Sequence, residues 1–173
     1  RGHMDYIGVK TYGADGRLAG ELRIVGLFTS QAYVKPPLEI PFLRRKVGYV
    51  LDKAGFPPES HAGKSLVNVL DTFPRDELFQ ISRDELVAWS TAILDLDLRP
   101  RVRVFARVDR FDRFVSVLVY APRDRYSTRV RERIGAYLAD AYKGYITAFY
   151  PYFTEGQLVR VHFIVGRTEG TTP

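Results

Sequence analysis

A chain of 173 residues with 46% hydrophobic content can bury the core of one domain or of two small ones, and its net charge of +6 suits an anionic partner or acidic neighbouring subunits. It contains no cysteine, which excludes a disulfide framework, a thiolate metal site and a cysteine nucleophile. The longest apolar run, around residues 115–121, is much shorter than the roughly 18 residues that cross a bilayer, so the sequence excludes a transmembrane helix.

The first four residues have the composition of a protease-site and cloning-site remnant, because they show no apolar periodicity and a strand pattern begins directly behind them. Met4 is the only methionine and belongs to this remnant. We therefore set residues 1–4 aside and expect the natural segment, which begins near Asp5, to be a piece of a longer chain.

A β-hairpin is predicted at the start of the natural segment. Residues 6–10 and 17–28 are rich in β-forming side chains and flank the pair Asp15-Gly16. An Asp-Gly pair between two such segments is a strong local signal for a tight turn.

Three helices are predicted behind the hairpin. The first begins at Pro41, which a first helical turn tolerates, and ends at Gly55, because glycine favours a helix C-terminus. The second follows an apolar stripe over residues 66–73, and the third begins at a capping box that starts at Ser82. Residues 74–79 are expected to make one extra turn.

The hydrophobic period changes to two at Arg101, where valines alternate with arginines as in a half-buried strand. Residues 114–120 are predicted to pair with this strand. Thr128 is expected to cap a helix, and residues 145–153 and 158–165 are predicted to form another hairpin. The second half therefore has the order β-β-α-β-β.

Together these elements predict an α+β fold, with antiparallel sheet or sheets and helices packed on one face. Four segments are expected: the remnant, a hairpin with three helices, a β-β-α-β-β half that packs with the preceding segment as one unit, and a linker. Their bounds are 1–4, 5–98, 99–167 and 168–173.

The sequence offers no catalytic or cofactor motif. Gly63-Lys64-Ser65 imitates the end of a phosphate-binding loop, but Pro58 stands where that motif needs another glycine. The pairs Asp76-Glu77 and Asp84-Glu85 lie near predicted helix starts, where they offset the helix dipole. No pattern places a serine or threonine beside a histidine and an orienting acid. We predict no catalytic residue, no cofactor and no metal in this segment.

Arginines are the unusual feature of the second half. The candidate set has five members: Arg101, Arg103, Arg107, Arg123 and Arg125. The first three are predicted to line one strand face, and the other two lie, together with Arg110 and Arg113, in the adjoining turns. One interpretation is a solvated face paired with Asp109, Asp112 and Asp124. The other is an anion-binding or subunit-contact surface, because arginine forms bidentate pairs with carboxylates and phosphates.

RNA binding is a further alternative, because basic residues occur together with aromatic residues of a predicted strand. The aromatic residues are Tyr145, Phe149, Tyr150, Tyr152 and Phe153. An RNA-recognition module carries its aromatics on central strands within a Lys/Arg-Gly-Phe-type motif, which residues 102–108 and 114–120 lack. Packing in a core or an interface explains these aromatics better, and nucleic acid is not expected as a partner.

Several ordered strings resemble the N-terminal region of the large bacterial NAD-specific glutamate dehydrogenases. In the first half they are GLFTS (26–30), AY (32–33), IPFLRRKV (40–47), AGF (54–56) and FPRDELFQ (73–80). In the second half they are FVS (114–116), VYAPRDRY (119–126) and RVHFIV (160–165). The resemblance covers nearly the whole chain.

The resemblance implies a parent chain with small ACT-like and PAS-like modules before a Rossmann-type dehydrogenase domain. That parent oxidatively deaminates L-glutamate to 2-oxoglutarate and ammonia with NAD, and is a cytoplasmic homo-oligomer. The present segment would lack the catalytic part and the NAD site, and would serve regulation or assembly. The implied partners are the rest of the parent chain, neighbouring subunits and a small amino-acid effector; no membrane partner is implied.

The implied topology is ACT-like, which means ferredoxin-like, or PAS-like, and the β-β-α-β-β order leaves this choice open. ACT modules hold amino acids at a glycine-containing strand-to-helix turn, whereas the turn at residues 121–126 has no glycine. Three hypotheses follow: a regulatory and assembly module, an amino-acid or anion sensor within the same enzyme, and a free RNA-binding domain.

Overall fold

The structure is a computed structural model that describes residues 4–167, and it opens with the predicted hairpin. Strands β1 (Asp5–Tyr12) and β2 (Leu18–Gly26) form a two-stranded antiparallel sheet. Their turn uses Gly16 at φ +74°, a left-handed conformation that glycine adopts without steric cost. Most of the expected remnant, residues 1–3, and the expected linker, residues 168–173, lie outside the described residues.

A connecting segment that the sequence did not predict joins the hairpin to the helices. It contains a short helix, α1 (Ser30–Val34), and a 3-10 turn at Pro37–Glu39. Phe28 stacks on Phe79 with ring centroids 4.5 Å apart, and the backbone N–H of Phe28 donates to the carboxylate of Asp5 at 3.2 Å. These contacts anchor the base of the hairpin to the helical layer.

Four helices follow: α2 (Pro41–Ala54), α3 (His61–Asp71), α4 (Arg75–Gln80) and α5 (Arg83–Leu98). The predicted ends of α2 are confirmed, since Gly55 terminates it at φ +67°. The capping box of α5 is also confirmed, because the Ser82 and Glu85 side chains each accept from the other's backbone N–H. The predicted extra turn is helix α4. Helix α3 ends before Phe73, the last residue of its predicted apolar stripe, but Phe73 is buried all the same.

The second half forms a four-stranded antiparallel sheet with the order β3-β4-β6-β5. Its strands are β3 (Arg103–Val108), β4 (Phe114–Pro122), β5 (Gly144–Phe153) and β6 (Leu158–Arg167). Helix α6 (Thr128–Ala141) connects β4 to β5. Its N-cap is Ser127, whose side chain accepts from the backbone N–H of Val130, so the predicted cap at Thr128 is wrong by one residue.

Helices cover both faces of this sheet, so the predicted α+β fold with antiparallel sheets is confirmed but the placement of all helices on one face is wrong. Helices α2 to α5 share one core with Phe105, Leu118, Tyr120 and Leu158 of the sheet. Helix α6 packs on the opposite face, where Leu138 meets strand residues that are almost all valine. The helical half and the sheet half therefore have a common core.

The alternating pattern of β3 does not bury its valines. The side of the strand that carries Phe105 faces the helices instead. Phe105 is buried against the helices and forms a tilted ring contact with Trp89 of α5 at 5.3 Å. Val104 and Val108, on the α6 side of the sheet, are half exposed. The reason is that α6 packs mainly on β5 and β6 and leaves the far edge strand open on that side.

Candidate functional site

The five candidate arginines do not lie together on one surface. Four of them belong to the end of the sheet where β3 begins and β4 ends: Arg101, Arg103, Arg123 and Arg125. Arg101 pairs with Asp95 at 2.9 Å, and the guanidinium of Arg123 lies 5.3 Å from the ring centroid of Phe153. Arg107 lies farther along β3, opposite Ser116, and its side chain is inside the protein.

Arg107 forms an ion pair with Glu77 that joins β3 to α4. Its Nη2 donates to Oε2 of Glu77 and to Oε1 of Gln80, both at 3.0 Å, while its Nε donates to the other carboxylate oxygen. The side chains of Arg107 and Glu77 are only 9% and 2% exposed. Burial by itself would lower the pKa of Arg107, but the hydrogen bond and charge of Glu77 raise it overall.

The expectation that Arg107 belongs to a solvated face paired with nearby aspartates is therefore wrong. Its partner lies thirty residues earlier in the chain. Of the three aspartates named for that face, Asp109 pairs at 2.7 Å with Arg113, which belonged to the same predicted cluster, and Asp112 pairs with Arg167 at 2.9 Å.

Lys46 is a second buried cation between α2 and α4. Its Nζ donates to the carbonyl oxygens of Leu78, Phe79 and Ile81 at 2.8, 3.0 and 2.7 Å. Burial lowers the pKa of Lys46 to about 8. Because three carbonyl acceptors match the three N–H donors of an ammonium group, Lys46 is charged at neutral pH and holds the C-terminal end of α4 against α2.

Arg160 joins the sheet to α3. It projects from β6, and its Nη1 donates to the carbonyl oxygen of Thr72, just behind α3, at 2.7 Å. The ring of Tyr152 lies 4.7 Å from its guanidinium carbon. Burial lowers the pKa of Arg160, and the neighbouring Tyr120 opposes that shift. The carbonyl at the end of α3 is thereby satisfied by a charged donor from the sheet.

A serine and a histidine meet in the same layer, although no sequence pattern placed them together. Ser116 of β4 and His162 of β6 are hydrogen-bonded, with 2.8 Å between Oγ and Nε2, and both are buried. Burial first, and then the charges of Arg160 and Arg107, lower the pKa of His162 to about 4. The charged groups that act on this histidine are cations rather than an orienting carboxylate, so the pair does not have the form of a nucleophilic dyad.

These residues form what we call the polar layer: Lys46, Glu77, Arg107, Ser116, Arg160 and His162. It lies between the helices and the sheet. Arg107 and Arg160 bond from the sheet to the helical half, whereas the Lys46 bonds stay among the helices and the Ser116–His162 bond stays within the sheet. Its chemistry is therefore structural. Lys46 could have been found from the sequence, since it stands three residues after Leu43 and four before Val50 on the stripe that α2 buries.

The aromatic residues of β5 are exposed to a larger extent than core packing predicts. Arginines cover three of the rings: Arg131 lies 3.9 Å from the Phe149 ring centroid, Arg123 covers Phe153, and Arg160 covers Tyr152. Cation–π contacts of this kind occupy the ring faces that stacked bases would need. Three of the five rings are thus packed against arginines of the same chain, and packing in an interface stays a prediction.

An open groove of about 720 Å³ lies between α2 and the start of α5. Its walls include Phe42, Arg45, Tyr49 and Arg83, and the guanidinium of Arg83 lies 4.7 Å from the Tyr49 ring centroid. This groove combines aromatic and cationic side chains, which is the chemistry that would recognise a small anion or an amino-acid carboxylate.

The phosphate-loop imitation at Gly63-Lys64-Ser65 lies in the first turns of α3. The Ser60 side chain already accepts from the backbone N–H of Gly63 at 3.0 Å, and a Cβ at Gly63 would lie 2.4 Å from the carbonyl oxygen of Pro57. This glycine therefore serves close packing of the preceding loop. No cluster of three or more histidine, aspartate or glutamate side chains suited to a metal occurs in the described part of the chain. Among residues 4–167, no helix is long and apolar enough to cross a membrane.

Two family models match the chain, one for each half. Residues 40–99 match the model described as glutamate dehydrogenase, helical motif 1, and residues 103–173 match the model described as glutamate dehydrogenase, ACT2 domain. The boundary between the two matches falls between α5 and β3. The second match resolves the choice between ACT-like and PAS-like topology in favour of ACT-like.

Curated relatives agree with these models. The chain is 43% identical over 171 residues to an NAD-specific glutamate dehydrogenase of Halomonas elongata, covering 99% of this chain and 10% of that protein. Proteins of the same name from Pseudomonas aeruginosa and Mycobacterium tuberculosis are 40% and 39% identical, over 94% and 92% of this chain. The chain thus spans about a tenth of the length of these relatives.

Proposed function

The chain belongs to the glutamate dehydrogenase family, and we propose that it is a non-catalytic regulatory and assembly module of an NAD-dependent glutamate dehydrogenase. The parent enzyme converts L-glutamate, NAD and water to 2-oxoglutarate, ammonia and NADH, with the NAD site in another part of the polypeptide. In this proposal the parent is a cytoplasmic homo-oligomer, and the partners of the module are the rest of the parent chain and neighbouring subunits.

The observation that carries the proposal is the polar layer. Its ionisable groups, which in a catalytic domain would be candidates for acid–base work, are committed to structural contacts: Arg107 and Arg160 to the helical half, Lys46 among the helices, and His162 within the sheet. The Arg107–Glu77 pair and the Arg160 hydrogen bond each tie one half of the chain to the other. Two halves that share one core and are joined by these bonds form a single unit, which suits a module that transmits or maintains an arrangement of subunits.

The exposed arginines at the end of the β3–β4 pair remain the proposed contact surface. Arg123 and Arg125 stand in a 3-10 turn between β4 and α6 and are exposed. We expect the double variant Arg123→Ala/Arg125→Ala of the parent enzyme to weaken its assembly or change its kinetics. Arg110→Ala, in the turn at the opposite end of the pair, is the matched control. Unchanged assembly and kinetics in the double variant would remove these residues from the proposal.

The role as a module is tested by assaying the 173-residue chain and the parent enzyme side by side for NADH formation from L-glutamate. We expect activity from the parent enzyme alone. Activity from the isolated chain, or none from the parent enzyme, would contradict the proposal.

A second candidate function is an amino-acid or anion sensor, which the aromatic and cationic groove between α2 and α5 favours. A ligand that binds the folded chain raises its stability by about 2.7 kcal/mol at a hundredfold excess over Kd. A thermal-shift series with glutamate, aspartate and inorganic phosphate therefore tests it. A shift that Arg83→Ala abolishes would support the sensor, and the absence of any shift would reject it.

A further inference from the structure

The hairpin of β1 and β2 has one apolar face. Ile7 pairs across the strands with Ile24, and Val9 pairs with Leu22, so the four aliphatic side chains lie on the same side of the ribbon. Their exposed fractions range from 41% to 58%. The pair formed by Thr11 and Gly20 extends this face without adding charge.

The other face of the hairpin carries a charge cluster that satisfies itself. Glu21 accepts hydrogen bonds from Tyr6, Lys10 and Arg23, the last at 3.1 Å. These partners, Lys10 first, lower the pKa of Glu21 to about 2. This face also exposes Val25, Tyr12 and Leu18, but the charge cluster at its centre is stable in water, whereas the centre of the apolar face offers water only aliphatic side chains.

A two-stranded hairpin is at best marginally stable by itself, and it needs a further layer on its hydrophobic face. The charges that could attract a charged partner to the hairpin sum to zero, since Lys10, Arg17 and Arg23 are balanced by Asp5, Asp15 and Glu21. The apolar face has one charged position, Asp5 at its end, and the Asp5 carboxylate accepts the backbone N–H of Phe28. These features select an apolar, uncharged surface as the partner.

The size of the face excludes a second copy of the chain as a strong partner. Its six positions occupy roughly 200 Å², at about 6.8 Å along a strand and about 4.8 Å between strands for each residue. A stable interface between separate molecules needs about 800 Å² from each partner. A small face is sufficient when both surfaces belong to one polypeptide, because tethering raises their effective concentration to about the millimolar range.

We propose that the apolar face of Ile7, Val9, Leu22 and Ile24 is covered by an apolar surface in the remainder of the same polypeptide. The relatives are about ten times as long as this chain, so a polypeptide of their length offers such surfaces. This inference rests on the proposed function, since it assigns the partner through which the module is attached to the parent enzyme.

Hydrogen exchange tests the inference. Amide exchange of residues 5–26 is measured in the 173-residue chain and in the parent polypeptide, and we expect it to be at least about tenfold slower in the parent. Ile24→Lys in the parent should abolish this protection. The matched control is Val25→Lys, because Val25 is adjacent and similarly exposed but lies on the charged face. Circular dichroism of the short chain should show that both variants fold.

Equal exchange in the short and long polypeptides would overturn the inference. Protection in the short chain that grows with its concentration would also overturn it, because it would identify a second copy as the partner. Equal loss of protection in both lysine variants would assign the contact to the strand edges instead. NADH formation is measured in the same parent preparation: an active enzyme with an unprotected hairpin rejects only this inference, whereas an inactive one rejects the proposed function.

Discussion

The two faces of the four-stranded sheet are built by alternate residues of the same strands, yet they pack by different chemistry. Toward α2 to α5, the sheet presents hydrogen-bonded polar side chains that are buried or nearly so, beside apolar ones. The polar ones are Arg107, Ser116, Arg160 and His162, and the apolar ones are Phe105, Leu118, Tyr120 and Leu158. Toward α6, the same strands present an apolar surface, to which β4 and β6 contribute Val115, Val117, Val119, Val161, Phe163 and Val165.

The difference shows how the two helical layers are specified. Valines on the α6 side require only a helix with an apolar stripe of about the right volume, which the adjoining α6 supplies. The polar side of the sheet accepts a helical layer only when that layer places a negative charge and free carbonyl oxygens beside the buried cations. We infer that the polar layer fixes the placement of the helical half on the sheet, while the apolar surface toward α6 contributes mainly burial.

The largest expected effect comes from breaking the ion pair. Glu77→Gln leaves the Arg107 guanidinium buried without a counter-charge, and we expect a loss of about 3 to 5 kcal/mol in the free energy of unfolding, measured by urea denaturation. Asp76→Asn, at the exposed neighbouring position, should cost less than about 1 kcal/mol. Similar losses in both variants would mean that the charge of Glu77 is not what the polar layer requires.

The second-largest expected effect tests whether the side of the sheet that faces α6 is purely apolar. Val117→Ala removes two methyl groups from a fully buried position, and we expect a loss of about 2 to 3 kcal/mol that is the same at pH 7 and pH 5. Val104→Ala is the control on the same face of the sheet, where half exposure should limit the loss to about 0.5 kcal/mol. A loss for Val117→Ala that changes strongly with pH would contradict a purely apolar face.

The smallest effect is a pH dependence from His162. The unfolded histidine has a pKa of 6.5 and the folded one about 4, so the unfolded state binds the proton first as the pH falls. The stability from the neutral buried ring is therefore complete above pH 6.5 and is lost progressively toward pH 4. We expect this group to account for a loss of about 2 kcal/mol between pH 7 and pH 5.

His162→Gln provides the comparison, because an amide can still bond to Ser116 but does not titrate in this range. Its unfolding free energy should fall about 2 kcal/mol less than that of the wild type between the two pH values. His61→Asn, at an exposed position on α3, should keep the wild-type slope. Identical slopes in His162→Gln and the wild type would show that this histidine does not titrate across the transition.

Local chemistry made much of the element order predictable. The Asp15-Gly16 turn, Pro41 with Gly55, and the Ser82 capping box each act within a few residues, and all three match the structure. The short helix α1 was not predicted, because its five residues carry neither a cap nor a buried stripe. The candidate arginine surface was harder to assign, since a strand arginine has the same pattern whether it meets water or a buried carboxylate.

The sequence by itself determined the α+β class, the hairpins, the principal helices and the family resemblance, because these depend on short-range periodicity, turn residues and ordered strings. Only the tertiary structure decided which face of β3 meets which layer. A period of two states that alternate residues share a face, but it does not identify the buried one. Glu77 stands thirty residues before Arg107 and Thr72 stands eighty-eight before Arg160, so these partners become neighbours only when the helices dock on the sheet.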